Sequence, residues 1–382
     1  MKKIIWIITL ALLAVGCSKD YEFSAEFSIP TTLSSPASVA INLSSQDNIV
    51  LSWAGGGAVQ GYATYEVLFD KAGGDFSQPV YRTYSDQGVN LQLTITHALL
   101  NTIARKAGVA TSSTGDVIWT VTASKGGVVK SSKLVKTISV TRGAGIDYSG
   151  NTLYLYGTAT ENSGAGGLAM RNSAEGVFVI YTKAPIDGNI YFKSSATDAN
   201  AFVCYTDQTS GKIKEGNGAY NVTANAAGEV YRITVDLNSQ LMTIDKVSNV
   251  RVLWGATYNV IGTLSYQGNG IFKADNCGIE FIEQSRPETN PPSWLSWVEE
   301  RYYFIASVNG TDMCWGRRDG VSAERPTGSE TPAFYELVEF PWTQWDHLWK
   351  MSGSLDMKKC TITINTDANG LMIHSFSNIQ PL

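Results

Sequence analysis

The chain has 382 residues, of which 43% are hydrophobic and only 16% charged, and its net charge is −5. Length alone allows roughly two or three domains, and a weakly acidic balance with no basic run argues against nucleic acid or anionic lipid as a partner. The 36 glycines, together with abundant Thr, Ser, Val and aromatic residues, suit strands and turns.

The first residues address export. Lys2 and Lys3 precede an apolar run from Ile4 to Val15. About a dozen residues are too few for a spanning helix and match the core of a signal peptide. The run closes on Ala14-Val15-Gly16-Cys17, which resembles a bacterial lipobox. Cleavage after residue 16 would leave the Cys17 thiol for lipidation and residues 17–27 as a tether. The alternative is a soluble secreted protein with an incidental cysteine. Acylation anchors firmly when several chains are present, at roughly 0.8 kcal/mol per buried CH₂.

Residues 28–143 alternate in the manner of short strands. Ile49-Val50-Leu51-Ser52-Trp53 leads into the turn Ala54-Gly55-Gly56-Gly57. Tyr65 to Phe69, Leu91 to Thr96, Val117 to Val121 and Leu134 to Val140 follow, and Ala98 to Lys106 has helical composition. This spacing predicts a small β-sandwich of immunoglobulin or fibronectin type, with Trp53 and Trp119 as core anchors.

The remainder repeats itself weakly. Leu153 to Thr158 resembles Arg251 to Ala256, and Tyr191-Phe192 with Cys204-Tyr205 resembles Tyr303-Phe304 with Cys314-Trp315. Ile233 to Val235 with Leu241-Met242 resembles Ile362 to Ile364 with Leu371-Met372. The order is conserved at offsets of about 100 to 130 residues, which predicts two homologous β-modules, 144–248 and a larger 249–382. Each ends in a hairpin, the second turning at Asn369-Gly370. The expected fold is therefore all-β: three β-sandwich modules in series. Cys204, Cys277, Cys314 and Cys360 lie in strand-like runs without a C-x-x-C pair. They read as buried free thiols, with one disulfide in the last third as the alternative.

Several stretches resemble a known family. The lipobox, "LSSPASVAINLSSQDNIVLSW", "YEVLFDKAGGDFSQPVYRT" and "DVIWTVTAS" look like the N-terminal domain of SusE-type outer-membrane lipoproteins. "LYLYGTATE", "YRITVDLNSQLMTI" and "VRVLWGATYN" are similar to the tandem carbohydrate-binding modules of SusE and SusF. The resemblance implies a non-catalytic starch- or glycan-binding lipoprotein of Bacteroidota. It would be anchored in the outer membrane facing the exterior, beside a SusC-like TonB-dependent transporter and a SusD-like lipoprotein. After Cys17, "CSKDYE" offers only Asp20 and Glu22 as the acidic export signal such proteins carry.

A sugar presents C–H faces and hydroxyl rims, so its site needs flat rings and a few forked polar groups. Seven tryptophans fall in 249–382: Trp254, Trp294, Trp297, Trp315, Trp342, Trp345 and Trp349. The candidate ligand residues are Trp254, Trp294, Trp297, Trp315 and Trp345, with Arg317 and Arg318 at the rim beside Asp319 and Asp346. Trp315, at a strand end running into a polar turn, is the leading candidate for an exposed ring. Trp342, Trp345 and Trp349 stand at i, i+3, i+7, which predicts a short helix with one face inward. Trp294 and Trp297 follow Ser293, a plausible helix cap; they either staple the insertion to the sheet or reach a ligand. Tyr156 occupies the place of Trp254 in the smaller module, which offers few other candidates.

No catalytic, cofactor or metal signature appears. His97, His347 and His374 are scattered, and there is no nucleophile elbow, P-loop or dinucleotide fingerprint. Glu283, Glu288, Glu299, Glu300 and Asp346 offer carboxylates, as most chains this size do. The alternative to glycan binding is an adhesin or accessory whose aromatic patch meets a protein.

Overall fold

The computed structural model describes residues 26–382 except 44, 149, 184–186, 223–227, 321–323, 344 and 369. Cys17 and the apolar run before it lie outside the described residues. The chain divides into two compact units after Gly143.

In the first unit a three-stranded sheet, ordered Pro30–Ser34, Asn48–Gly55, Gln92–Thr96, packs against a larger one. The larger sheet runs Ser38–Ala40, Lys136–Thr141, Thr114–Lys125, Thr64–Lys71, Tyr81–Tyr84, with Val128–Ser131 also paired to Thr114–Lys125. Alternation dictates this: Ile49, Leu51 and Trp53 point inward while Asn48 and Val50 point outward. Trp53 meets Tyr65 edge-on at 5.6 Å and Trp119 is fully buried, as core anchors should be. The turn after Trp53 needs glycine. Gly55 has φ +78°, and a Cβ there would sit 2.8 Å from the Thr31 hydroxyl. The expected helix is present as His97–Lys106, capped by Thr96, whose hydroxyl accepts from Leu99 N at 3.2 Å. Its Leu100, Ile103 and Ala104 close one end of the core. Arg142 is buried there, donating to Asn101 Oδ1 at 2.9 Å and to the Val109 carbonyl at 2.6 Å.

The second unit, 144–382, is a continuous network of antiparallel strands around two main cores. The first core gathers Leu155, Phe178, Phe192, Ile233 and Val235. The second gathers Val252, Phe272, Phe304, Trp315, Trp349 and Ile362. Strand Leu241–Trp254 belongs to both halves. Its first part pairs with Val230–Asp236 and its last part with Val260–Gly268 and Arg301–Val308. The boundary inferred at 248/249 falls on an irregularity within this strand, between Ser248 and Arg251, where Asn249 takes φ +51°.

Polar contacts reinforce the seam. Arg232 donates to Asp245 at 2.8 Å and across to Glu339 at 2.6 Å. Glu161 accepts from the Tyr266 hydroxyl at 2.8 Å and from Asn269 N at 2.7 Å. Tyr181 joins the second core, edge-on to Trp315 at 5.8 Å.

Two local expectations are corrected. The described residues among 342–349 form no helix: strand Val338–Pro341 precedes them and strand Trp349–Lys350 ends them. Trp345 and His347 have φ of +74° and +60°, incompatible with a helical turn. Trp294 and Trp297 likewise sit on turn and bend backbone after a short 3-10 segment, Pro287–Thr289, so Ser293 caps nothing.

Cys204, Cys277, Cys314 and Cys360 are free and buried. Burial pushes Cys204 and Cys314 up to about 12 and Cys360 up to about 11. These thiols should react with a neutral-pH thiol reagent only after denaturant is added, as a thiol count with and without guanidinium will show. His374 is buried among Trp349, Phe304 and Phe376, and desolvation lowers it to about 3. Its Nδ1 donates to the Tyr335 carbonyl at 3.0 Å, leaving Nε2 to accept from the Tyr302 hydroxyl at 2.8 Å. Below an unfolded value of about 6.5 the denatured chain takes up a proton that the folded protein refuses, so stability falls as pH drops toward 3. Denaturation midpoints between pH 7 and 5, above the carboxylate range, should slope downward and flatten in His374→Gln.

Candidate functional site

The structure sorts the seven tryptophans of 249–382. Trp315 is 1% exposed and Trp254 6%, so neither ring meets a ligand. This corrects both expectations. Trp315 lies under Tyr181 and Phe272 and spends its indole N–H on Glu339, 3.0 Å away at the seam. Trp254 points into the same core, edge-on to Phe281 at 6.2 Å. Trp349 is also core, stacked near Tyr302 with its N–H on the Phe334 carbonyl at 2.8 Å. In each case the alternation of a central strand or the mate's register turns the ring inward.

Three of the expected rings come together at the surface. Trp294, Trp297 and Trp345 are 51%, 43% and 37% exposed. Trp294 lies 5.9 Å from Trp297, tilted by 53°, and 5.9 Å from Trp345, nearly perpendicular at 84°. Arg301 closes the group, its guanidinium carbon 5.2 Å from the Trp297 ring and 5.0 Å from Trp345. The loop backbone that refuses a helix is what delivers Trp345 here, from 48 positions away in sequence to Trp297.

Beneath them is a buried carboxylate. The Glu299 side chain is fully enclosed, and it accepts from Arg301 N at 2.8 Å, Arg301 Nε at 2.8 Å and Trp297 Nε1 at 3.0 Å, besides Arg301 Nη2. A carboxylate removed from water needs this full set of donors. In meeting it, Glu299 locks the Trp297 ring and the Arg301 fork together. Glu299 is itself held by a two-way backbone bridge to Ile282. Neither Glu299 nor Arg301 was selected from the sequence as a ligand group. The available signal was a Glu and an Arg flanking Glu300, one residue beyond "WLSW".

The expected rim arginines do not join this cage. Arg317 pairs with Asp319 at 2.5 Å and lies 5.5 Å from the Phe334 ring. Arg318 grips Glu336 through two bonds of 2.7 and 3.1 Å. Both are committed to carboxylates. Trp342 is exposed but forms a separate pair, edge-on to Tyr258 at 5.6 Å with its N–H on the Tyr303 hydroxyl at 3.1 Å. Among the described residues no group of three or more His, Cys, Asp or Glu side chains is placed to hold a metal.

Comparison with known proteins adds a family. Residues 19–122, within the first unit, match the family model described as SusE outer membrane protein. The resemblance seen in its sequence motifs holds over that span. SusF from Bacteroides thetaiotaomicron aligns over 90% of this chain and 76% of its own length, at 11% identity and a TM-score of 0.24. That likeness is too loose to define how the second unit is arranged. No curated protein matches. No described helix is long and apolar enough to cross a membrane.

The different burial of the rings has a direct thermodynamic consequence. Trp315→Ala should lower stability by about 3–5 kcal/mol, as removal of a fully packed large ring does. Trp297→Ala should cost less, about 1.5–3 kcal/mol, the scale of one hydrogen bond lost to a buried carboxylate. Urea denaturation of the two variants will separate them.

Proposed function

We propose that the protein is a non-catalytic glycan-binding lipoprotein of the outer membrane, anchored through Cys17, with its ligand site at Trp294, Trp297, Trp345 and Arg301. The observation that supports this best is the cage itself. Three large rings are left half in water, yet Glu299 and its arginine fix Trp297 and Trp345, and Trp294 packs against both. Rings that served only packing would be turned inward, as Trp315 and Trp349 are.

The chemistry suits a saccharide. Each indole face takes the C–H face of one sugar ring, at little cost in side-chain entropy. Arg301 commits Nε and Nη2 to Glu299, which leaves Nη1 between two rings to donate to a hydroxyl. Because Glu299 already neutralises it, the guanidinium acts as a hydrogen-bond donor more than as a charge. The 53° and 84° angles between rings suit a curved chain whose successive sugars face different ways. Starch-like glucans have that shape, and the SusE match of the first unit points the same way.

In this reading the first unit is a spacer, and the bound chain is held for a SusC-like transporter and a SusD-like lipoprotein. A second reading draws on the same angles: rings that are not coplanar, with exposed Val298 beside them, also suit a protein contact. Affinity electrophoresis of the acyl-free protein in gels containing starch or other polysaccharides decides between them. We expect retardation by at least one neutral polysaccharide, weakened about tenfold or more, ~1.4 kcal/mol, by Trp294→Ala, Trp297→Ala or Trp345→Ala. Trp342→Ala should leave it unchanged. Migration unaffected by every polysaccharide would sink the glycan reading.

A further inference from the structure

The outer face of the sheet in 144–248 carries a second cluster of polar and aromatic groups. Strand Leu153–Tyr156 lies beside Gly188–Lys193, with Tyr156 opposite Tyr191 and Tyr154 opposite Lys193. Leu155 and Phe192 between them point into the core, so these four side chains share the solvent face. The next strand continues the row, since inward Cys204 leaves Tyr205 on the same side, opposite Lys214.

The rings themselves are largely occupied. Tyr156 and Tyr191 stack at 5.5 Å and 20°, and Gly167 passes so close to Tyr156 that a Cβ there would lie 2.5 Å from the ring. What the cluster offers outward is its polar ends. Lys193 Nζ stands 5.3 Å from the Tyr156 ring and 5.6 Å from Tyr191. Among the described residues it pairs with no carboxylate, and the hydroxyls of Tyr154, Tyr156 and Tyr191 have no protein partner. At the end of the row Lys214 differs, pairing with Asp207 at 3.2 Å. Burial, and then the phenols of Tyr191 and Tyr154, push the Tyr156 hydroxyl up, so it remains a donor at neutral pH.

We propose that this face is a second saccharide site, selective for sugars bearing an oxyanion, with the Lys193 ammonium and the hydroxyls of Tyr154, Tyr156 and Tyr191 as its donors. A cation with no carboxylate partner, beside phenol hydroxyls, is complementary to a carboxylate or sulfate oxygen and gains charge-assisted hydrogen bonds from it. A neutral hydroxyl gains only ordinary ones. That the ligand is a saccharide rests on the function proposed above; that it is anionic rests on these donors alone.

The test is titration calorimetry on the acyl-free chain beginning at Ser18, at low and raised salt. The probes are a galacturonate oligomer, a sulfated oligosaccharide without uronate, and a maltooligosaccharide. At least one anionic probe should bind, more weakly as salt rises. Lys193→Met should weaken it at least tenfold, Lys193→Arg should restore most of it, and Tyr191→Phe should weaken it by a smaller factor. Trp297→Ala should leave it intact. Whichever anionic probe binds identifies the oxyanion as carboxylate or sulfate. No binding of either anionic probe at millimolar concentration, or affinity unchanged in both Lys193→Met and Tyr191→Phe, overturns the proposal. The maltooligosaccharide reads the tryptophan cage separately, so failure there with anionic binding retained would remove only the cage.

Discussion

The arrangement of the second unit depends on one strand serving two sheets. Residues 241–247 complete the hairpin with Val230–Asp236, and residues 250–254 run on as a central strand between Val260–Gly268 and Arg301–Val308. A backbone that must satisfy its hydrogen bonds on both sides has little freedom to hinge. The two cores of this unit are therefore held as one body, with Arg232, Glu339 and Trp315 tied across the seam. Strand Arg301–Val308, which carries Arg301, is paired directly to this shared strand. Arg301 is thus carried by a strand tied to the shared one, while the three rings around it come from loops.

The same constraint explains how the aromatic residues divide. A tryptophan on a central strand has its direction set by register, and the indole N–H must then find a partner inside. Trp315 finds Glu339 and Trp349 finds the Phe334 carbonyl. Trp294, Trp297 and Trp345 come from loops, where left-handed and bend conformations aim side chains independently of any sheet. Glu299 links the two regimes. It sits at a strand edge, is buried as core residues are, and sends its hydrogen bonds outward to the exposed group. Charge differs too: the cage arginine, Arg301, is matched with Glu299, whereas Lys193 has no carboxylate partner among the described residues. The two faces therefore differ in chemistry, one apolar and neutralised, the other rich in donors and positive.

Much of this was determined by the sequence alone. Period-two alternation around Ile49 to Trp53 and Val117 to Val121, glycine at a turn that admits no Cβ, and a threonine cap before Leu99 each set local structure through short-range forces. Hence the all-β class, the sandwich of the first unit, its helix, the buried cysteines and the terminal hairpins were all legible. The grouping of Trp294, Trp297 and Trp345 among the candidates was legible too, because so many rings exceed what one core needs. Tertiary structure alone decided which rings face water. The i, i+3, i+7 spacing of Trp342, Trp345 and Trp349 fits a helix, yet long-range pairing of Trp349 with Tyr302 and positive φ at Trp345 send neighbours to opposite sides. Glu299 and Arg301 were invisible for a related reason. A charged pair looks like any solvated surface until the chain brings Ile282 alongside and removes the water from one carboxylate.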